Sequence, residues 1–229
     1  MSDELTVISS MATRQMLAEL AGAYQKRAAC RVTITSIGGL EAVRRVRAGE
    51  PIDIVVLAAH VMEELEASGH LVPLSRAALA RSSIAVAIRS GEERPRIGDA
   101  EAVKQAVLKA RKVSYSTGPS GDRLKQLFAH WGITDAISAR LVQAPPGVPV
   151  GSLLANREAD LGFQQLSELV DLPGIDIIGL LPPEIQSETV FSAAIASRSS
   201  KPDQARALIE FLASPDTAAT KRRHGLEPA

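Results

Sequence analysis

An open α/β fold is what this chain predicts, and three observations carry the reading. Apolar and β-branched runs alternate along the chain with amphipathic helical ones, which implies βαβ units. The run Asp53 to Ala58 is continuously apolar after its first residue, as in a strand buried on both faces of a parallel sheet. A strand, a glycine turn and a helix start also recur, once at Ser36 to Leu40 and again at Tyr115 to Leu124.

Taken in order, Leu5 to Ile8 is a short strand, followed by Ser9-Ser10-Met11-Ala12-Thr13 and then a helix. Met16, Leu17, Leu20, Ala21 and Tyr24 fall at helical spacing there and mark one buried face. Arg31 to Thr35 alternates and reads as the second strand. It leads through Gly38 and Gly39 into a helix carrying Ala42, Val43 and Val46, which Gly49 and Pro51 end. Met62 to Leu71 reads as a short helix and Ser83 to Ile88 as an apolar strand. Arg89 to Asp99, with two glycines and a proline, is a surface loop. Ala102 to Ala110 is helical and Lys112 to Tyr115 extended, and the helix that follows carries Leu124, Leu127, Phe128 and Trp131 on one face. Arg140 to Gln143 is a strand that meets Ala144-Pro145-Pro146-Gly147-Val148-Pro149, a segment its prolines keep irregular. Val150 to Asn156 is helical, and the strand Ala159 to Phe163 opens into Gln164-Gln165. Ile175 to Leu181 and Glu188 to Ala196 are strands, and Ala205 to Leu212 is the last helix.

In open α/β sheets ligands lie beyond the carboxyl ends of the strands. The loops after Ile8, Thr35 and Tyr115 then turn hydroxyls and glycines toward one place. The loop after Tyr115 is the richest. Gly118 and Gly121 allow a turn and a close backbone approach, Pro119 fixes one dihedral, and Ser116, Thr117 and Ser120 offer hydroxyls. A helix N-terminus with unpaired N–H groups is an anion site; the competing reading is that Ser-Gly-Asp simply caps a surface helix. No Lys-Ser or Lys-Thr follows the second glycine, so this is not a Walker phosphate loop. Gln164 and Gln165 are either directed at a ligand or a hydrogen-bonded brace joining loops.

Composition bounds the function classes. The chain has 229 residues, 45% of them hydrophobic, enough for a proper core in one large domain or two small ones. Aromatics are only 3%, which argues against base-stacking platforms. Lys plus Arg and Asp plus Glu are 26 each, so no global field draws in polyanions, and anion selectivity has to come from local donors. Cys30 is the single cysteine, no metal-ligand spacing occurs among the histidines, and no cofactor is expected. No segment is long and apolar enough to cross a membrane. The start, Met-Ser-Asp-Glu-Leu-Thr-Val, has neither a basic n-region nor an apolar h-region, so the chain as written reads as cytoplasmic, and as periplasmic only if a signal peptide has been removed. The basic run Lys221-Arg222-Arg223-His224 reads as a solvated helix end, with no helix-turn-helix to make it a nucleic-acid contact.

The order of motifs resembles a known family. Val-Ile-Ser-Ser at the start, Gly-Gly-Leu-Glu-Ala before Gly-Glu-Pro-Ile-Asp-Ile-Val-Val, then Ser-Thr-Gly-Pro-Ser-Gly and Asp-Leu-Gly-Phe are similar to the molybdate-type substrate-binding proteins of bacterial ABC importers, from about Leu5 to Leu226. That resemblance implies a two-lobed type II periplasmic-binding-protein fold, with mixed open sheets and helices on both faces. It implies one lobe from residues 1–83 plus 190–229, a second from 84–189, and a ligand cleft between them. It also implies a small anionic ligand and, for an exported chain, the membrane subunits of an ABC transporter as partners.

Carried over residue by residue, the resemblance implies a changed pocket. The family's hydroxyl ahead of the first helix falls on Ala12, its second-loop serine on Gly39, and its tyrosine after the Leu-Gly strand on Gln165, while Ser120-Gly121 matches. Hydrogen bonds to a charged group contribute roughly 1.5–3 kcal/mol each, so losing three would weaken oxyanion binding by orders of magnitude unless Ser9, Ser10 and Ser36 substitute. Arg14 and Arg123 lie in the first turns of two helices, and guanidinium groups suit planar carboxylates. Either they face solvent or they meet an anion. The set expected at the ligand is therefore Ser9, Ser10, Arg14, Gly38, Gly39, Ser116, Thr117, Ser120, Gly121, Pro149, Gln164 and Gln165. The function expected is binding of a small anion, with an organic carboxylate favoured over a molybdate-like oxyanion. The alternative is a cytoplasmic isomerase of an unsaturated di- or tricarboxylate, as in the aconitate-isomerase-like branch of the superfamily. Such chemistry needs a base, and Asp122 and Glu41 are the nearest acids, with Ser9 or Tyr115 as a proton relay.

Overall fold

The structure, a computed structural model, describes residues 4–229. Of the N-terminal stretch read above for export signals, Met1, Ser2 and Asp3 lie outside the described residues. The fold is mixed α/β, and the chain divides into two compact units, Met1–Arg81 with Val190–Ala229 and Ser82–Thr189.

In the first unit β1 (Glu4–Ser10), β2 (Arg31–Ile37) and β3 (Ile54–Ala58) run parallel in the order β2-β1-β3, and β9 (Glu188–Ile195) pairs with β3 antiparallel. β1 and β3 are inner strands, which is why buried apolar side chains leave them on both faces. Val7, Ile54 and Val56 pack with Met16, Leu17 and Leu20 of α1 (Arg14–Arg27) and with Leu208, Ile209 and Leu212 of α9 (Pro202–Ala213). Ile8, Val55 and Leu57 face the other way, onto Ala42 and Val46 of α2 (Gly39–Arg47) and Met62 and Leu65 of α3 (Ala59–Ala67). Full burial of each large aliphatic stabilises by roughly 1.5–3 kcal/mol, so this two-faced pattern fixes both layers of helices.

The second unit repeats the plan. β4 (Ala77–Arg89) enters it at Ser82 and pairs antiparallel with β7 (Leu161–Gln165) and β8 (Ile175–Leu180). β5 (Val113–Tyr115) lies parallel to both β7 and β6 (Leu141–Gln143). One face packs on α4 (Ala100–Lys109), α5 (Pro119–His130) and α6 (Thr134–Ile137) through residues such as Val103, Val107, Leu124 and Phe128. The other packs on α7 (Val150–Ala155) and α8 (Leu166–Leu169) through Leu154 and Leu169. A Cβ on Gly162 would stand 2.7 Å from Val150 Cγ1 and 2.8 Å from Leu154 Cδ1, so β7 carries glycine where α7 presses onto the sheet.

Several boundaries differ from the sequence expectation. β4 is twice the expected run, because its first half, Ala77 to Ser82, is paired through Ala80 and Arg81 with β10 (Glu227–Pro228). α3 begins directly after β3 and stops at Ala67, where Ser68 and the left-handed Gly69 end it, short of the expected Leu71. β7 runs to Gln165, so both glutamines belong to the strand and their side chains leave it on opposite faces. A further helix, α10 (Ala218–Arg223), follows α9, and the expectation of a solvated basic tail fails at Lys221, which is only 1% exposed. Burial holds its ammonium below the ordinary lysine value.

Candidate functional site

Each unit gathers predicted residues at the carboxyl edge of its parallel strands. In the first, β1 and β2 are in register with Ser9 opposite Ser36 and Ser10 opposite Ile37, so Ser9, Ser10, Gly38 and Gly39 leave the same edge. The buried Ser9 hydroxyl shares a hydrogen bond of 2.8 Å with the Ser36 hydroxyl. Ser10 Oγ is buried with no hydrogen-bond partner among the described residues. Gly38 is the extended residue before α2 and offers no side-chain cap, which leaves that helix N-terminus open. An added Cβ at Gly39 would meet nothing within 4 Å. Arg14, the first residue of α1, is exposed and has no carboxylate partner among the described residues. Ala12, where the molybdate pattern has a hydroxyl, is buried in the core.

In the second unit Tyr115 lies opposite Phe163, so Ser116 on one strand and Gln164 and Gln165 on the other leave one edge. Ser116 and Ser120 share a hydrogen bond of 2.9 Å through their buried hydroxyls, and Gly118 N donates to Ser116 Oγ at 3.3 Å. α5 has no side-chain cap. The capping role that Ser-Gly-Asp could have played is therefore not taken up, and the Ser120 N–H has no acceptor among the described residues. A Cβ on Gly121 would stand 2.9 Å from the Ser116 carbonyl carbon and nearer still to its oxygen, so only glycine permits this loop. Thr117 is exposed beside it.

The two amides divide the alternatives left open by the sequence. Gln164 is a brace: its Oε1 accepts from Val150 N at 2.7 Å and its Nε2 donates to Glu168 Oε2 at 2.7 Å. That bond fills the N-terminus of α7, directly after Pro149, which has no N–H of its own. Gln165 is different. Its Nε2 donates to Thr189 Oγ1 at 2.7 Å, while Oε1 is buried without a partner among the described residues. Arg123 donates weakly through Nη2 to Ile185 O at 3.5 Å and keeps a buried, unpartnered Nε.

The acids named from the sequence are held elsewhere. Glu41 accepts two bonds from Arg44, at 2.8 and 2.6 Å, and that guanidinium lowers its pKa. Asp122 pairs with Lys125 at 2.8 Å. Each is therefore engaged by a cation. Tyr115 packs in the hydrophobic core of its unit. No group of histidine, cysteine and acidic residues among the described residues could hold a metal ion. No helix among them is long and apolar enough to cross a membrane. Sequence reading passed over Thr189, whose only signal is a hydroxyl close to the start of β9, and it named Ser36 only as a substitute donor.

Known proteins with this organisation handle small solutes. The chain is 39% identical over 98% of its length to an aconitate isomerase from a Pseudomonas species, covering 87% of that protein. Its fold matches the periplasmic molybdate-binding protein of Azotobacter vinelandii at a TM-score of 0.80 and 24% identity, over 97% of this chain and 98% of that one. It also matches a tungstate-binding protein of Desulfovibrio alaskensis at 0.68 and 17%, over 96% and 93%. The pattern of one family, described as bacterial extracellular solute-binding protein, spans residues 5–227. The motif order, the paired α/β units and that match agree, and the chain belongs to the bacterial extracellular solute-binding protein family.

Proposed function

We propose that this chain binds an unsaturated tricarboxylate of the aconitate type and shifts its double bond. The observation that carries the reading is the 39% identity to an aconitate isomerase across nearly the whole chain. The donor chemistry supports a carboxylate over a spherical oxyanion. Ala12 and Gly39 supply no hydroxyl, whereas Arg14 and Arg123 carry guanidinium groups whose planar fork suits a carboxylate. The open N-termini of α2 and α5 add backbone donors.

Double-bond migration is redox-neutral. One C–H bond next to a carboxylate breaks, its electron pair spreads over the allylic system, and a proton returns at the far carbon. The protein has to stabilise that spread charge and move one proton. The backbone N–H of Ser120 and the arginines fit the first task. The hydrogen-bonded hydroxyl pairs Ser9 with Ser36 and Ser116 with Ser120 fit the second as relays.

A second reading, a binder without turnover, is favoured by one observation: neither acid named above is a free base, since Arg44 and Lys125 hold them. On that reading the partners are the membrane subunits of an ABC importer. Incubation with trans-aconitate in D2O, followed by proton NMR, separates the two. The isomerase reading expects cis-aconitate and deuterium at the methylene carbon. Tight binding with no exchange leaves the binder, and binding of molybdate without any carboxylate ends the isomerase reading and leaves an oxyanion binder.

A further inference from the structure

A cavity of about 820 Å³ lies wholly within the second unit. Its walls are the loop after β4, one face of α4, and the residues that lead into β5 and β7. It therefore sits at the amino edge of these strands, whereas Ser116, Ser120 and Gln165 leave the carboxyl edge. Small side chains on α4, Ala102 and Ala106, and the buried Ile88 and Leu161 make an apolar floor.

The rim is cationic, and its charges do not cancel. Arg89 pairs with Glu92 at 3.3 Å, Arg94 with Asp176 at 3.3 Å, and Arg111 with Asp160 at 2.7 Å. Arg96, Lys109 and Arg157 also line the cavity and have no carboxylate partner among the described residues, against one unmatched acid, Glu93. Arg157 adds an independent observation. It follows α7 at the position where helices favour glycine, with φ of 63°, in a closing turn where its N–H donates to Leu154 O and Glu158 N to Leu153 O. An L-residue is disfavoured in that conformation, yet the chain places a guanidinium there, on the cavity rim.

We propose that this cavity is a second anion site, one that takes a phosphorylated small molecule of nucleotide size. Its volume falls within the range of small-molecule pockets, several times what an inorganic anion fills. Three cations without a carboxylate partner among the described residues, against the one acid Glu93, around an apolar floor match several phosphate charges attached to an organic body. A nucleic-acid backbone fits less well, because the site is concave and Glu92 and Glu93 interrupt the rim.

The test titrates the whole chain with ATP, inorganic triphosphate and citrate at low ionic strength, by calorimetry. Both phosphates are expected to bind with Kd below about 1 mM and to weaken with salt, since exposed charges are screened over a Debye length. Arg157→Gly and Lys109→Ala should each weaken ATP by at least about tenfold, as loss of a charge-assisted contact does. Ser120→Ala should leave ATP binding unchanged. Arg157→Gly relieves the left-handed backbone, so its loss of binding would not be a loss of fold. The proposal is overturned by three results: no binding of either phosphate at millimolar concentration, ATP affinity that follows Ser120 and ignores Arg157, or citrate bound more tightly than triphosphate through Arg157. Binding of triphosphate but not ATP would remove the nucleotide-sized ligand. None of these outcomes depends on whether aconitate is turned over.

Discussion

Gly39→Ala separates stability from ligand binding more cleanly than any other change in the first unit. The glycine opens α2, has no left-handed dihedral, and would give a new methyl group nothing to touch within 4 Å. Replacing glycine by alanine where the native backbone accepts it stabilises by about 0.4–1 kcal/mol, because the unfolded chain loses freedom. For a chain of this size that raises Tm by roughly 1–4 °C. If Gly39 is bare so that a ligand can approach the open helix N-terminus, the same methyl group enters the ligand's space. A displaced charge-assisted contact contributes roughly 1.5–3 kcal/mol, which weakens aconitate binding by at least about tenfold. Differential scanning fluorimetry reads the first effect and calorimetric titration the second. A variant more stable than the parent that binds aconitate equally well would remove Gly39 from the ligand surface. A fall in Tm would refute the geometry at the start of α2.

Gly121→Ala should behave in the opposite way. Its methyl group would collide with the Ser116 backbone, and overpacking of this kind costs about 1–3 kcal/mol, so Tm should fall by roughly 2–12 °C and binding with it; an unchanged Tm would show that the loop is not so tight. Lys221→Met should raise Tm at neutral pH, because the ammonium is buried and its pKa is depressed from the ordinary 10.5. The unfolded chain holds that proton more tightly, so the native lysine weakens the fold below its depressed pKa and the penalty fades as pH rises toward 10.5. The gain from methionine should shrink over the same range, and a pH-independent difference in Tm would count against the assignment.

What the sequence made legible were local features. Apolar runs two-faced enough to be inner strands, such as Ile54 to Ala58, lie where periodicity puts them, and the glycine turns before α2 and α5 lie at the carboxyl edges of their sheets. The motif order also pointed to the right family. What it could not show depends on pairing across long separations. The first half of β4, Ala77 to Ser82, is fixed as strand only where β10 pairs with it from the far end of the chain, with Arg81 opposite Glu227. Lys221 looks like part of a solvated basic run, and only the packing of α10 against α1 and β10 buries it. Gln164 and Gln165 are adjacent and chemically alike. Their different roles follow from the faces to which the strand turns them, one toward Val150 and Glu168 and the other toward Thr189.

That last contrast bears on how a fold shared with oxyanion binders can serve a carboxylate. An unmet buried acceptor costs about 1–3 kcal/mol, so Gln165 Oε1 is an open demand in the second unit. The Thr189 hydroxyl can donate as well as accept. A half-turn of the amide therefore keeps the 2.7 Å bond and turns the unmet atom from acceptor into donor. A tyrosine at this position would offer one hydroxyl on a rigid ring. The amide can instead meet either a carboxylate oxygen or a protonated oxygen at the same place, with Thr189 holding it in both states. In a reaction whose substrate gains and loses a proton, a group that serves both states without moving its backbone is an asset. Gln165→Leu removes both options at nearly constant volume, and it should reduce aconitate affinity while leaving Tm within a few degrees, because the orphaned partner, Thr189, is only partly buried. Equal affinity in that variant would show that Gln165 faces the protein alone.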